Sequence, residues 1–121
     1  MQTIIRSTLA LAIMTLTGFA GHGAHAASFD CDAKVLAPDE TAICANRDLN
    51  DLDVRMATEF KWLSGMYAMG VRGELQDQQT AWLKTRQACQ SDTACIRKAY
   101  EDRLKAFEDD YNTFERPAPS K

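Results

Sequence analysis

Apolar residues recur with a helical period along most of this chain. Leu49, Leu52, Met56, Phe60, Leu63 and Tyr67 follow one another at steps of three or four residues, which places them on one face of an amphipathic helix. Asn46 stands where a cap for that helix is expected, and Gly65, Gly70 and Gly73 are expected to weaken and end it. Leu75, Gln79, Trp82, Arg86 and Cys89 share one face of a further helix from about Glu74 to Cys89. Ser91 and Asp92 break that helix and cap the next, over about Asp92 to Phe114, whose stripe is Ile96, Tyr100, Leu104, Phe107, Tyr111 and Phe114.

Ahead of the long stripe, Pro38 suits an early helical position because no amide donor is needed there, and Asp39 and Glu40 suit a helix N-terminus. These residues predict a short helix from about Pro38 to Ala45, with Ile43 and Cys44 facing inward. Ala27 to Ala37 reads as an extended arm, and the chain from about residue 115, through Arg116-Pro117-Ala118-Pro119, as a frayed tail. No segment alternates with period two over a strand's length. The expected fold is all-α: a small bundle of one short and three longer helices.

The first 26 residues carry a different signal. Arg6 precedes an apolar run from about Thr8 to Thr17, and Ala24-His25-Ala26 follows, the pattern of a secretory signal peptide cleaved after Ala26 or one residue later. The run is too short for a comfortable membrane span of about 20 residues. No cysteine sits at the cleavage point, so no lipid or membrane anchor is expected. Removing 26 of the 121 residues leaves one domain of 95. Both histidines, His22 and His25, leave with the leader. The only charge lost is Arg6, so 13 Lys and Arg remain against 17 Asp and Glu, a net −4. Such a surface lacks the basic footprint of a nucleic-acid binder.

Four cysteines, Cys31, Cys44, Cys89 and Cys95, remain in the mature chain, and an even count in a short exported chain reads as a disulfide framework. Three pairings are possible. Local closure favours Cys31 with Cys44, tying the arm to the short helix, and Cys89 with Cys95, stapling the turn between the last two helices. Separations of 13 and 6 are not the two-to-four-residue knuckles of structural zinc sites. No Cys-x-x-Cys suggests redox work. No metal and no cofactor are expected.

Two charges fall on otherwise apolar helix faces, Asp53 and Arg86. A buried charge needs a partner, so the two are expected to pair across facing helices. Trp82 is expected in the core with Arg86 one turn on, and Gln79 is expected to satisfy a backbone group near a helix end or loop. Trp62 lies beside the main stripe, a second-face core residue or a partner anchor.

Gln79-x-x-Trp82-x-x-x-Arg86-x-x-Cys89 followed by Cys95 resembles the signature of the LprI-type lysozyme inhibitor family. Cys31, then Glu40-Thr41-Ala42-Ile43-Cys44, is similar to that family's Cys and Glu-x-x-Ile-Cys segment, and Leu52-Asp53, with Met56 and Phe60 following, to its Leu-Asp helix start. The resemblance spans about Cys31 to Leu104. Departures are Phe60 where a tyrosine is common, the glycine-interrupted stretch from Ser64 to Gly73, and the aromatic end at Tyr111 and Phe114. The resemblance implies a disulfide-stapled helical domain exported to the envelope and, for some members, inhibition of lysozyme. It carries over no set of inhibitory residues.

With no histidine and oxidised thiols, catalysis would fall to carboxylates, lysines or tyrosines. Asp51 with Asp53, and Glu108 with Asp109 and Asp110, read as helix faces rather than as acid–base pairs. No enzyme motif is present. A binding module is therefore the expected class, and the resemblance implies its concrete form: inhibition of lysozyme, or of another exported hydrolase, by protein binding, acting in the periplasm or after secretion. A toxin-immunity partner or a protease inhibitor is the alternative. The candidate contact residues are Trp62, Met66, Tyr67 and Arg72 around the Ser64–Gly73 turn, and the acidic patch Glu108, Asp109 and Asp110. A net −4 would steer the protein toward a basic partner.

Overall fold

Pro38 opens the first helix, α1 (Pro38–Ala45), in a computed structural model that describes residues 27–114. The leader predicted over residues 1–26 and the tail from 115 lie outside the described residues. Glu40 reaches back so that its Oε2 accepts from the Ala37 backbone N–H at 2.9 Å, and the Thr41 hydroxyl donates to the Ala37 carbonyl at 3.1 Å. These bonds fix the start of a helix whose Ala42 and Ile43 are buried.

Only Asn46 separates α1 from α2 (Arg47–Met66). Asn46 occupies the cap position without capping α2 through its side chain. Its Nδ2 instead donates backward to the Ala42 carbonyl at 2.7 Å. The expected role is corrected because the tight corner leaves an end carbonyl of α1 in reach, and an unpaired helix end must find a donor.

The third helix, α3 (Met69–Ala88), begins five residues earlier than the glycines suggested. Gly70 and Gly73 lie inside it, and the link from α2 is Tyr67 and Ala68 alone. Each glycine costs about 1 kcal/mol against alanine in a helix, yet the start is secured from outside the propensity scale. The Arg72 amide donates to the Ala68 carbonyl at 2.9 Å, the Arg72 guanidinium donates to the Tyr67 carbonyl at 3.0 Å, and Leu75 is buried one turn on. The expected Ser64–Gly73 turn is thus a helix end, a two-residue joint and a helix start.

Gln90 adopts a left-handed conformation, φ 52°, just beyond α3. The turn is closed by backbone bonds from Gln90 to Gln87 and from Asp92 to Cys89. Asp92 then caps α4 (Thr93–Thr113), accepting from Ala94 and Cys95 at 3.0 and 3.1 Å. The Cys89–Cys95 disulfide spans this turn, and Cys31–Cys44 joins the arm to α1.

No strand occurs among the described residues. The protein is a small disulfide-stapled helical bundle. Its most extensive helix pairing is α2 with α4, and Ile43, Leu49, Met56, Leu63, Leu75, Trp82, Ile96, Tyr100, Leu104 and Phe107 form one core. None of the described helices is long and apolar enough to cross a membrane. Two disulfides fit an oxidising, exported environment.

Candidate functional site

The most concentrated polar chemistry of the bundle is inside it. Asp39 of α1, Asp53 of α2, Arg86 of α3 and Tyr100 of α4 converge, each at most 3% exposed. Asp39 Oδ2 accepts from Arg86 Nε at 2.9 Å, while Arg86 Nη1 reaches Tyr100 Oη at 3.1 Å and Asp53 Oδ1 at 3.5 Å. The Tyr100 hydroxyl donates to Asp53 Oδ1 at 2.7 Å, and the Ser28 backbone N–H donates to Asp53 Oδ2 at 2.6 Å. Phe29 and Trp82 lie 5.6 and 5.8 Å from the guanidinium carbon, within reach for cation–π attraction.

Asp53 and Arg86 therefore meet, but the shortest ion pair runs to Asp39. In the sequence Asp39 stands out only as a favourable charge at a helix start. The signal available was its position one turn ahead of buried Ile43, which turns it toward α3. Tyr100 fits the apolar stripe of α4 by its spacing, which carries no signal for its hydroxyl.

Burial pulls the Arg86 guanidinium downward in pKa, but Tyr100 and Asp39 outweigh that and leave it raised. Burial, helped by the negative charge of Asp53 and opposed by Arg86, drives the Tyr100 phenol far above its ordinary value. Tyr100 thus stays a donor throughout the working pH range. The phenol of an unfolded chain ionises near pH 10. A folded-state pKa above that gives stability that is complete below about pH 10 and lost as pH rises further. Expected in an absorbance titration of the three tyrosines is one that ionises only as helicity is lost; complete ionisation of all three in the folded chain would contradict the network.

A second buried cation lies nearby. Arg103 is 6% exposed, stacks 4.3 Å over the Phe107 ring and donates through Nε to Gln79 Oε1 at 3.0 Å. Gln79 Nε2 points to the Met56 sulfur at 3.0 Å. The expected backbone role of Gln79 is corrected: it lies mid-helix, where backbone groups are already paired, so it serves a side chain. Burial lowers the Arg103 pKa, with Asp110 opposing. Trp82 is buried in the core, its Nε1 donating to the Ala99 carbonyl at 2.9 Å and its ring 5.3 Å from that of Tyr100.

The candidate contact residues divide. Trp62 is 71% exposed on α2. It stands between two depressions, one of about 500 Å³ formed with Arg55, Leu63, Met66, Glu108 and Tyr111, the other with Ala57, Lys61 and Gly65. Tyr67 and Arg72 instead build the α2–α3 joint, with Tyr67 Oη donating to the Asp110 carbonyl at 3.3 Å. Asp109 is exposed and paired with Lys105 on its own helix at 3.0 Å. Of the proposed set, Trp62, Met66 and Glu108 share a groove.

Among the described residues no cluster of His, Cys, Asp and Glu could hold a metal ion. Arg86 fills the space between the two buried carboxylates. The chain matches no family model, no curated protein and no solved structure.

Proposed function

We propose that this protein is an exported, non-catalytic binding module that inhibits a lysozyme, with the Trp62 groove as its contact face. The carrying observation is the exposure of Trp62 beside Met66 and Tyr111, on a bundle whose other tryptophan is buried. A large aromatic held on a rigid helix with its side chain in solvent is the residue type that anchors protein interfaces. The resemblance in the cysteine, Trp82 and Arg86 pattern supplies the lysozyme; the mature net charge of −4 complements a basic enzyme and would speed encounter. The Asp39–Asp53–Arg86 cluster is the frame that holds this surface, being too buried to meet a substrate.

The mature protein is mixed with lysozyme and clearing of a peptidoglycan suspension is followed at two salt concentrations. Inhibition that weakens as salt rises is expected, since screening shortens electrostatic reach. Trp62→Ala should weaken inhibition by at least about thirtyfold, the loss of about 2 kcal/mol typical of an anchor residue, with an unchanged urea midpoint. Absence of inhibition at micromolar excess would remove the lysozyme reading. Capture of a different hydrolase from a periplasmic extract, lost in the same variant, would keep the surface and reassign the target.

A further inference from the structure

The buried network of Asp39, Asp53 and Arg86 sets two carboxylates against one guanidinium, and its remaining donors, the Tyr100 hydroxyl and the Ser28 amide, are neutral. The other buried cation, Arg103, donates to Gln79 and stacks on Phe107, so the surplus negative charge of the Asp39–Asp53 pair is costly unless a further cation offsets it. The arm ends where that cation is created. Ser28 N lies 2.6 Å from Asp53 Oδ2, and Ala27, half-buried, is the residue that the predicted leader cleavage makes the first of the mature chain.

We propose that removal of the signal peptide completes this network: the new α-ammonium, on Ala27 or on Ser28 if cleavage falls one residue later, supplies the second positive charge facing Asp53. The inference rests on the leader reading and is independent of the lysozyme reading. Cleavage after Ala27 would place the ammonium on the nitrogen that already bonds Asp53. Cleavage after Ala26 places it one residue away, at most about 3.8 Å further from the carboxylate. The groups bonded to Asp53 are the Arg86 guanidinium from α3, the Tyr100 hydroxyl from α4 and the Ser28 amide from the arm, and Asp39 of α1 joins them through Arg86; Arg103, also on α4, is turned to Gln79. The Cys31–Cys44 bridge and Phe29 hold the arm in place for the contact. Before cleavage, the amide bond at this position carries no charge. Export would then stabilise the fold twice, by oxidising the thiols and by releasing the ammonium.

The test compares three forms of the exported protein. One begins at its natural mature residue, identified by mass; one carries Gly-Ser-Gly before that residue; one has its α-amine removed by selective transamination. The extended form keeps the Ser28 amide, so it isolates the charge from the hydrogen bond. The α-ammonium of the natural form should titrate at least one unit above the ordinary 7.7–8.0, and its unfolding constant near pH 6.5 should be about tenfold smaller than in the other two, one pKa unit being tenfold. Raised in the folded state, this group stabilises fully below about pH 8, and its advantage should vanish as pH rises through the shifted value. Superimposable urea melts of all three forms, or an unshifted α-amine, would overturn the proposal. A mature chain beginning well away from Ala27 and Ser28 would do so as well.

Discussion

Arg86→Leu is expected to lower the unfolding free energy by about 3–5 kcal/mol, the cost of leaving buried charge without its partner. The loss is large because one guanidinium answers three groups at once. Removing it leaves Asp39 and Asp53 facing each other across an apolar side chain, and strips the Tyr100 oxygen of one donor. Leucine also forfeits the stacking on Phe29 and Trp82. A small domain has about 5–15 kcal/mol in all, so the urea midpoint should fall steeply. Adding Asp39→Asn and Asp53→Asn to the same chain should recover part of the loss, because the charge then no longer needs a partner. A melt of Arg86→Leu indistinguishable from wild type would show that the network does not hold the bundle together.

The second large effect is expected from opening Cys31–Cys44 with the double change Cys31→Ala and Cys44→Ala. Closing a span of 13 residues stabilises by about 3 kcal/mol through restriction of the unfolded chain, against about 2 kcal/mol for the six-residue span of Cys89–Cys95. The two losses should differ by more than that gap of about 1 kcal/mol, because the first bridge also holds in place the arm that brings Ser28 to Asp53 and Phe29 to Arg86. The measurement is the pair of urea midpoints for the two double variants. Losses that differ by only about 1 kcal/mol, the loop-closure difference, would mean that the arm contributes nothing further. The Cys89–Cys95 span is already tightened by the Asp92 cap and the backbone bonds of the turn.

Much of this architecture is legible in the chain because periodicity reports burial directly. Leu49, Met56 and Leu63 mark one face of α2, and Asp53 within that stripe announces a buried charge in search of a partner. Arg86 announces the same on α3. Asp39 was not legible as a ligand of Arg86, because an acidic residue at a helix start has a sufficient local reason to be there. Tyr100 fits an apolar stripe by its ring, which hides the use of its hydroxyl. The start of α3 was missed for a different reason. Gly70 and Gly73 weigh against a helix locally, and what overrides them is tertiary: the guanidinium of Arg72 on the Tyr67 carbonyl, and Leu75 in the core. Exposure of Trp62 depends on whether α4 covers it, a matter of helix crossing that its spacing does not contain.

The two tryptophans divide the molecule optically. Trp82 reports from the apolar interior against Tyr100, whereas Trp62 emits from water. Docking of a partner should shift the emission of the red-emitting ring toward the blue and leave the other unchanged, while unfolding should shift only the blue-emitting one toward the red. A single unlabelled sample therefore distinguishes occupancy of the surface from loss of the interior.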